Sequence, residues 1–153
     1  MTENTRGTLR LIGFGLFALV ALPMRLFMND FNMFRSSIFS ACMITFIILF
    51  LITSSENIQR MTYSCQLIGA VMNSLVIVFN SGRMPVADWQ KTGFTPTGMW
   101  QPITASTNFP FLADIHSLGT ARYSLGDIFI FLPIVFYFTY LGVKYVRRSR
   151  SVS

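Results

Sequence analysis

The sequence contains few charged residues and few of the side chains that build catalytic or metal sites. Only 12% of its 153 residues are Asp, Glu, Lys or Arg, and it has one histidine and two cysteines. Because 52% of the residues are apolar, so little charge could not cover the surface of a soluble domain. Two cysteines imply neither a disulfide framework nor a metal site. The composition therefore excludes a soluble globular protein and indicates a chain dissolved in lipid.

Familiar catalytic patterns are missing as well. The sequence has no nucleophile beside a base at a recognisable spacing, no glycine-rich phosphate loop, no haem motif and no internal repeat. Asp114 and His116 could supply two metal ligands, whereas a zinc site needs three or four. We therefore predict no catalytic residue and no metal, leave any cofactor unassigned, and lean against an enzyme.

Four long uncharged stretches, each bounded by arginine, lysine or an acid, dominate what is present. Each is long enough to cross the hydrocarbon core of a bilayer as a helix. The first stretch is interpreted as a retained anchor rather than a secretory signal, because no small-x-small cleavage site follows it. We predict an all-α integral membrane protein, a single domain over residues 1–153, with spans at about 11–28, 36–54, 61–79 and 125–146 and a Pro- and Gly-rich interfacial connection at 80–123.

The third predicted span differs from the others because polar side chains interrupt it. Gln66, Asn73 and Ser74 lie within it, and Gly69 comes one turn before Asn73. Polar and small residues in a span usually face another helix, where backbones approach closely and amides find partners. The pattern predicts that the third span is central in the bundle and that Gln66 and Asn73 pack between helices.

Basic residues predict the orientation of the chain. The net charge is +6, but Arg and Lys lie mainly at span ends, where cytoplasmic retention and anionic headgroups account for them. With both termini in the cytoplasm, seven basic residues lie on that side and five on the other. We therefore predict cytoplasmic termini and no nucleic-acid partner.

The connection at 80–123 would then lie on the outer face. Structureless connections of such length are uncommon unless they have a function. Trp89 and Trp100 suit the interfacial belt, and the segment from Ile103 to Leu118 is apolar enough to lie against the bundle. We predict an interfacial cap.

The start of this connection, Asn80-Ser-Gly-Arg-Met-Pro-Val86, has two interpretations. In the structural one, which we favour, Asn80 or Gly82 takes the left-handed conformation at the end of the third helix. Arg83 then complements the helix dipole and Pro85 prevents continuation. In the functional one, Asn80 and Arg83 present a polar site to a ligand headgroup.

The end of the connection, Ser124-Leu-Gly-Asp127, has the spacing of a capping box. Serine and the acid three residues later would satisfy backbone N–H groups reciprocally, which predicts a capping role for Asp127. The alternative is that Gly126-Asp127 forms half of an aspartyl peptidase site with Asp114, since two close carboxylates can share a proton.

Three motifs in this region carry a resemblance: Asn-x-Gly-Arg-Met-Pro-Val at 80–86, Leu-Ala-Asp at 112–114 and Ser-x-Gly-Asp at 124–127. The chain resembles a family of small bacterial membrane proteins of unknown function with Asn-Gly-Gly-x-Met-Pro-Val, Leu-Gly-Asp and Ser-x-Gly-Asp motifs. Here Ser81 and Ala113 replace glycines. The resemblance implies the bacterial cytoplasmic membrane but no activity, and the matched positions are Asn80, Gly82, Arg83, Met84, Pro85, Asp114, Ser124, Gly126 and Asp127.

Three functions fit these observations. The first is a non-enzymatic accessory or assembly subunit of a larger complex, with the lipid bilayer and other membrane-protein subunits as partners. The second is a binding or transport unit for a small molecule or ion, because ionisable groups at membrane depth are functional candidates. For this binding or transport unit, a polar site would form at the outer face from Asn73, Asn80, Arg83, Asp114 and Asp127. The third function is an intramembrane aspartyl peptidase.

Overall fold

The structure is a computed structural model that describes residues 2, 5–12, 15, 33–88, 99–119 and 121–150. Its helices are α1 (residues 5–12), α2 (Met33–Thr53), α3 (Asn57–Phe79) and α4 (Leu125–Arg150). By length and composition, α2, α3 and α4 can each cross a membrane. These three helices confirm the expectation of a membrane protein. Most of the first predicted span, 11–28, lies outside the described residues.

The all-α prediction is approximate, because the connection between α3 and α4 contains short strands. There, β1 (Met84–Val86) pairs in parallel with β2 (Trp100–Pro102), and β3 (His116–Leu118) pairs in antiparallel fashion with β4 (Ala121–Tyr123). A short 3-10 helix, Pro110–Leu112, lies between the two pairs. The physical reason holds for the buried β1: its backbone N–H and C=O groups need partners, and a short ladder supplies them where the chain is not helical.

Helix α3 packs against both α2 and α4. Its approach to α4 is closest at Gly69 and Gly126, where an added Cβ on either glycine would overlap the backbone of the other helix. At Gly69 a Cβ would also come within 2.9 Å of side-chain atoms of Phe129 and Ile130. Glycine therefore allows the two backbones to touch, as is usual where helices associate in lipid.

The described part of the connection packs onto the end of α3 as a cap. Val76 of α3 forms a buried cluster with Met84, Leu112 and Ala113. Strand β1 is buried along its whole length. Trp100, Ile103 and Leu125 pack against this cluster. The cap therefore has a small core of its own, continuous with the helix ends.

Polar contacts also fix the opposite end of the bundle. Arg10 of α1 donates to the Thr53 carbonyl oxygen over 3.0 Å, at the end of α2. Lys144 Nζ of α4 lies 3.0 Å from Glu56 Oε1, just before α3 begins. These contacts join helix ends far from the cap. The bundle thus has polar contacts at both ends, at the cap and at the opposite end.

Candidate functional site

Two consecutive residues with left-handed backbone follow the end of helix α3. Ser81 has φ 59° and Gly82 has φ 82°, while Asn80 has φ −114°. The Gly82 N–H donates to the Ile77 carbonyl over 2.8 Å, which closes the last turn. The sequence predicts the left-handed conformation at either Gly82 or Asn80, and Gly82 adopts it. Ser81 adopts it as well, at an energetic cost that a glycine would avoid.

The Asn80 side chain fastens the cap to α3 and is 5% exposed. Its Nδ2 donates to the Val76 carbonyl at 2.7 Å and to the Asn108 carbonyl at 2.9 Å. Its Oδ1 accepts from the Asn108 N–H at 2.9 Å, and Asn108 Nδ2 donates to the Phe79 carbonyl at 2.8 Å. Both polar atoms of Asn80 are therefore occupied by the protein. Sequence reasoning missed Asn108, which carries no signal beyond its place in a polar turn.

Strand β1 holds Asp114 through its backbone. The Asp114 N–H donates to the Pro85 carbonyl and the Ala87 N–H donates to the Asp114 carbonyl, each over 3.0 Å. Pro85 thus lies within a buried strand and its carbonyl serves as an acceptor. Behind the strand, Ser36 Oγ of α2 donates to the Gly82 carbonyl over 2.6 Å. The main chain of Asp114 is therefore fixed by a segment that is itself tied to α2.

A reciprocal capping box begins α4, and α3 takes part in it. The Ser124 N–H donates to Asp127 Oδ2 and the Asp127 N–H donates to Ser124 Oγ, each over 3.0 Å. Asn73 Nδ2 donates to Asp127 Oδ1 over 2.8 Å, and Ser124 Oγ donates to Asn73 Oδ1 over 2.8 Å. One turn of α4 and the middle of α3 thus share one hydrogen-bond network. Further along, Gln66 Nε2 lies 3.5 Å from the Ile130 carbonyl oxygen of α4.

A cavity of about 330 Å³ lies where α2, α3 and α4 meet the cap. This volume falls in the range of small-molecule sites, which begins at roughly 300 Å³. Most of its wall is apolar and comes from Phe39, Met43, Ala70, Ile77, Met84, Met99, Trp100 and Ile130. Its polar wall consists of Ser40, Asn73, Ser74, Asp114, Arg122 and Asp127.

Asp114 is the unsatisfied group of this cavity. It is 6% exposed, and its buried Oδ1 has no hydrogen-bond partner among the described residues. Burial, and to a lesser extent the Asp127 carboxylate, together raise the pKa of the Asp114 carboxyl to about 7. The charge of the side chain therefore changes near neutral pH.

Arg122 is the positive group of the same cavity. Its side chain is 8% exposed and its NH2 atom lies 3.8 Å from Asp88 Oδ2, in a side chain that is 57% exposed. The Arg122 charge is therefore partly neutralised from outside the cavity. His116 lies elsewhere, exposed on β3 and stacked on Tyr123 with ring centroids 5.4 Å apart.

A family model described as "Family of unknown function (DUF5317)" matches residues 8–139. The chain belongs to this family. No curated protein and no solved structure matches it. The expected resemblance to a family of unknown function is confirmed, and DUF5317 membership assigns no activity.

In this DUF5317 protein, three of the five residues expected to converge do line one cavity. They are Asn73, Asp114 and Asp127. The other two, Asn80 and Arg83, are not among the described residues that line the cavity, and Asn80 instead connects the cap to α3. Sequence reasoning did not single out Arg122, which only the pairing of β3 with β4 places there. Within the described part of the chain, no three His, Cys, Asp or Glu side chains gather to hold a metal ion.

Proposed function

We propose that this protein binds a small molecule in the cavity between its helices and its cap, on the outer face of the membrane. The observation that carries the proposal is Asp114, a buried acid that lines a cavity large enough for a ligand and has one oxygen without a partner among the described residues. Asn73 and Asp127, which line the same cavity, already share a hydrogen bond with each other. Asp114 is thus the acid of this cavity that a ligand donor would satisfy.

The free energy of binding should favour a ligand that donates a hydrogen bond to Asp114. A buried acceptor without a donor costs about 1–3 kcal/mol, and more if it is charged. A ligand donor at Asp114 would remove this cost, while the apolar wall would contribute roughly 25 cal/mol for each Å² of apolar surface buried. A cavity built from many apolar side chains and a few convergent polar ones is the usual form of a small-molecule site.

A pair of matched substitutions in α3 tests this proposal. Ala70 is buried and lines the cavity, whereas the next residue, Val71, is exposed on the outside of the helix. Ala70→Leu should fill the cavity and Val71→Leu should leave it open. Native mass spectrometry of the full chain released from mild detergent should show a small molecule on the wild type and on Val71→Leu but not on Ala70→Leu. Equal occupancy in all three, or none in a ligand screen with the wild type, would overturn the proposal.

A subunit role is the second candidate, and an apolar groove between α3 and α4 supports it. The groove has a volume of about 220 Å³ and could receive a side chain from a partner helix. Purification in mild detergent followed by mass spectrometry should then yield stoichiometric larger membrane proteins, and a lone chain would count against this role. The groove is lined by Met61, Cys65, Ile128, Phe129, Leu132, Pro133 and Phe136.

An aspartyl peptidase is the third candidate, supported by Asp114 and Asp127 lining one cavity. It is the weakest because each oxygen of Asp127 accepts a hydrogen bond, from Asn73 and from the Ser124 backbone. Both oxygens are therefore engaged in the capping network at the start of α4, whereas a catalytic pair needs two carboxyl groups that share a proton. Cleavage of a model transmembrane substrate that Asp114→Asn abolishes would establish this role.

A further inference from the structure

We infer that the ligand is an alkylammonium, whose protonated amine contacts the Asp114 carboxylate while its alkyl chain lies on the apolar wall formed by the helices. This inference rests on the proposed function and narrows it to one chemical class. The shared chemistry is a primary ammonium joined to an apolar chain. Its source could be a free alkylamine or the amine of a lipid headgroup.

The charges of the cavity select a cation. Two carboxylates, Asp114 and Asp127, face one guanidinium, that of Arg122. Arg122 is also drawn toward Asp88, which is not among the residues lining the cavity. The formal sum inside the cavity is therefore −1 with both acids ionised. An anionic ligand would have to approach the buried Asp114 carboxylate and the half-buried Asp127 carboxylate, which is unfavourable at low dielectric.

The number of hydrogen-bond donors selects an ammonium over a neutral polar group. An ammonium offers three donors and no acceptor, while a hydroxyl offers one donor. The Asp114 carboxylate in the cavity wall offers acceptors and no donor when it is ionised. Hydrogen bonds between ionised partners are roughly twice as strong as neutral ones. An alcohol of equal chain length should therefore bind less tightly.

The apolar wall accounts for the alkyl chain. Trp100 and three methionines, Met43, Met84 and Met99, line the cavity, and an indole face attracts a nearby cation. Other lining residues belong to the helices that can cross a membrane, namely Phe39 of α2, Ala70 and Ile77 of α3 and Ile130 of α4. A ligand with its charge at the cap would thus have its chain at the depth of the lipid.

Proton release should accompany binding. Because burial holds the pKa of Asp114 at about 7, its ionised share rises from about one tenth at pH 6 to about nine tenths at pH 8. An alkylamine stays protonated over this range, since amine pKa values lie near about 10. The affinity should therefore rise about tenfold from pH 6 to pH 8. Asp127 from α4 and Arg122 from β4 share the cavity with Asp114, whereas His116 is exposed on β3 and does not line it.

The test is titration of the full chain with octylamine, octanol and octyl sulfate in nanodiscs of phosphatidylcholine, with protein-free nanodiscs as the reference. Octylamine should bind most tightly, with the tenfold pH dependence, and octyl sulfate should not bind. Asp114→Asn should weaken octylamine binding at least tenfold and remove its pH dependence. Glu56→Gln, an equal charge change at the opposite end of the bundle, and His116→Gln should retain both. The wild-type pH profile alone decides the matter if the Asp114 variant does not fold.

The outcomes separate this inference from the proposed function. If octanol or octyl sulfate binds as tightly as octylamine and Ala70→Leu blocks it, the cavity binds a ligand but the ammonium class is wrong. If Ala70→Leu blocks none of the three, both proposals fail. Nanodiscs that contain phosphatidylethanolamine distinguish the sources. Competition by this lipid against octylamine indicates a lipid headgroup amine, and its absence indicates a free amine.

Discussion

Replacing Asn73 with alanine should weaken the association of α3 with α4. The substitution removes two interhelical hydrogen bonds of 2.8 Å, one to the Asp127 carboxylate and one from the Ser124 hydroxyl. Such bonds average about 0.6 kcal/mol in membrane proteins, and a charged acceptor raises the value. We therefore expect the free energy of unfolding to fall by about 2 kcal/mol.

A double-mutant cycle in detergent measures this contribution. Unfolding of Asn73→Ala, Ser124→Ala and the double variant should show a coupling energy of about 0.5–1 kcal/mol, since the two side chains share one hydrogen bond. Asn57→Ala, in the exposed first turn of the same helix, is the matched control and should have little effect. A coupling energy near zero, or equal losses for Asn57→Ala and Asn73→Ala, would refute the idea that the network joins the two helices.

Three further predictions concern stability. Ser81→Gly should raise the free energy of unfolding by about 0.5–1 kcal/mol, because φ is 59° at this position and glycine adopts that conformation without strain. Ser106→Gly, in an exposed turn, should not raise it, and chemical denaturation measures both. Gly126→Ala should lower the unfolding temperature because its Cβ would meet the Asn73 side chain, whereas Gly142→Ala, with nothing within 4 Å, should be neutral or stabilising. The ligand-free protein should lose stability as the pH rises from about 4 to about 7, because the pKa of Asp114 is higher in the folded state than in the unfolded state. Asp114→Asn should remove that slope, and an unchanged slope by pH-dependent denaturation would contradict the assignment.

The helices could be predicted because their signals are local. Charged residues such as Arg35 and Glu56 flank uncharged runs, and the bilayer requires such runs to be helical. The spacing of Ser124 and Asp127 similarly indicates a capping box, since a cap is decided within one turn. The polar face of the third span predicted a central helix because amides in lipid need partners.

The cap could not be predicted in the same way because its partners are distant in sequence. Strands of three residues are too short to show a period of two, and β1 pairs with a strand that begins 16 residues later. The bonds from Asn80 to Asn108 span 28 residues, and no local pattern indicates them. Ser81 departs from local preference, because its conformation is imposed by the turn between α3 and the buried β1.

Photo-crosslinking tests the central claim, a ligand site at Asp114 beneath the cap, most directly. An octylamine that carries a diazirine on its chain would be bound to the full protein in nanodiscs, irradiated, and mapped by peptide mass spectrometry. The predicted crosslinks fall on cavity residues such as Met84 and Trp100, and excess octylamine should suppress them. Crosslinks spread over the exposed apolar surface of α4, at Phe131 and Phe138 for example, and insensitive to competition would contradict the claim.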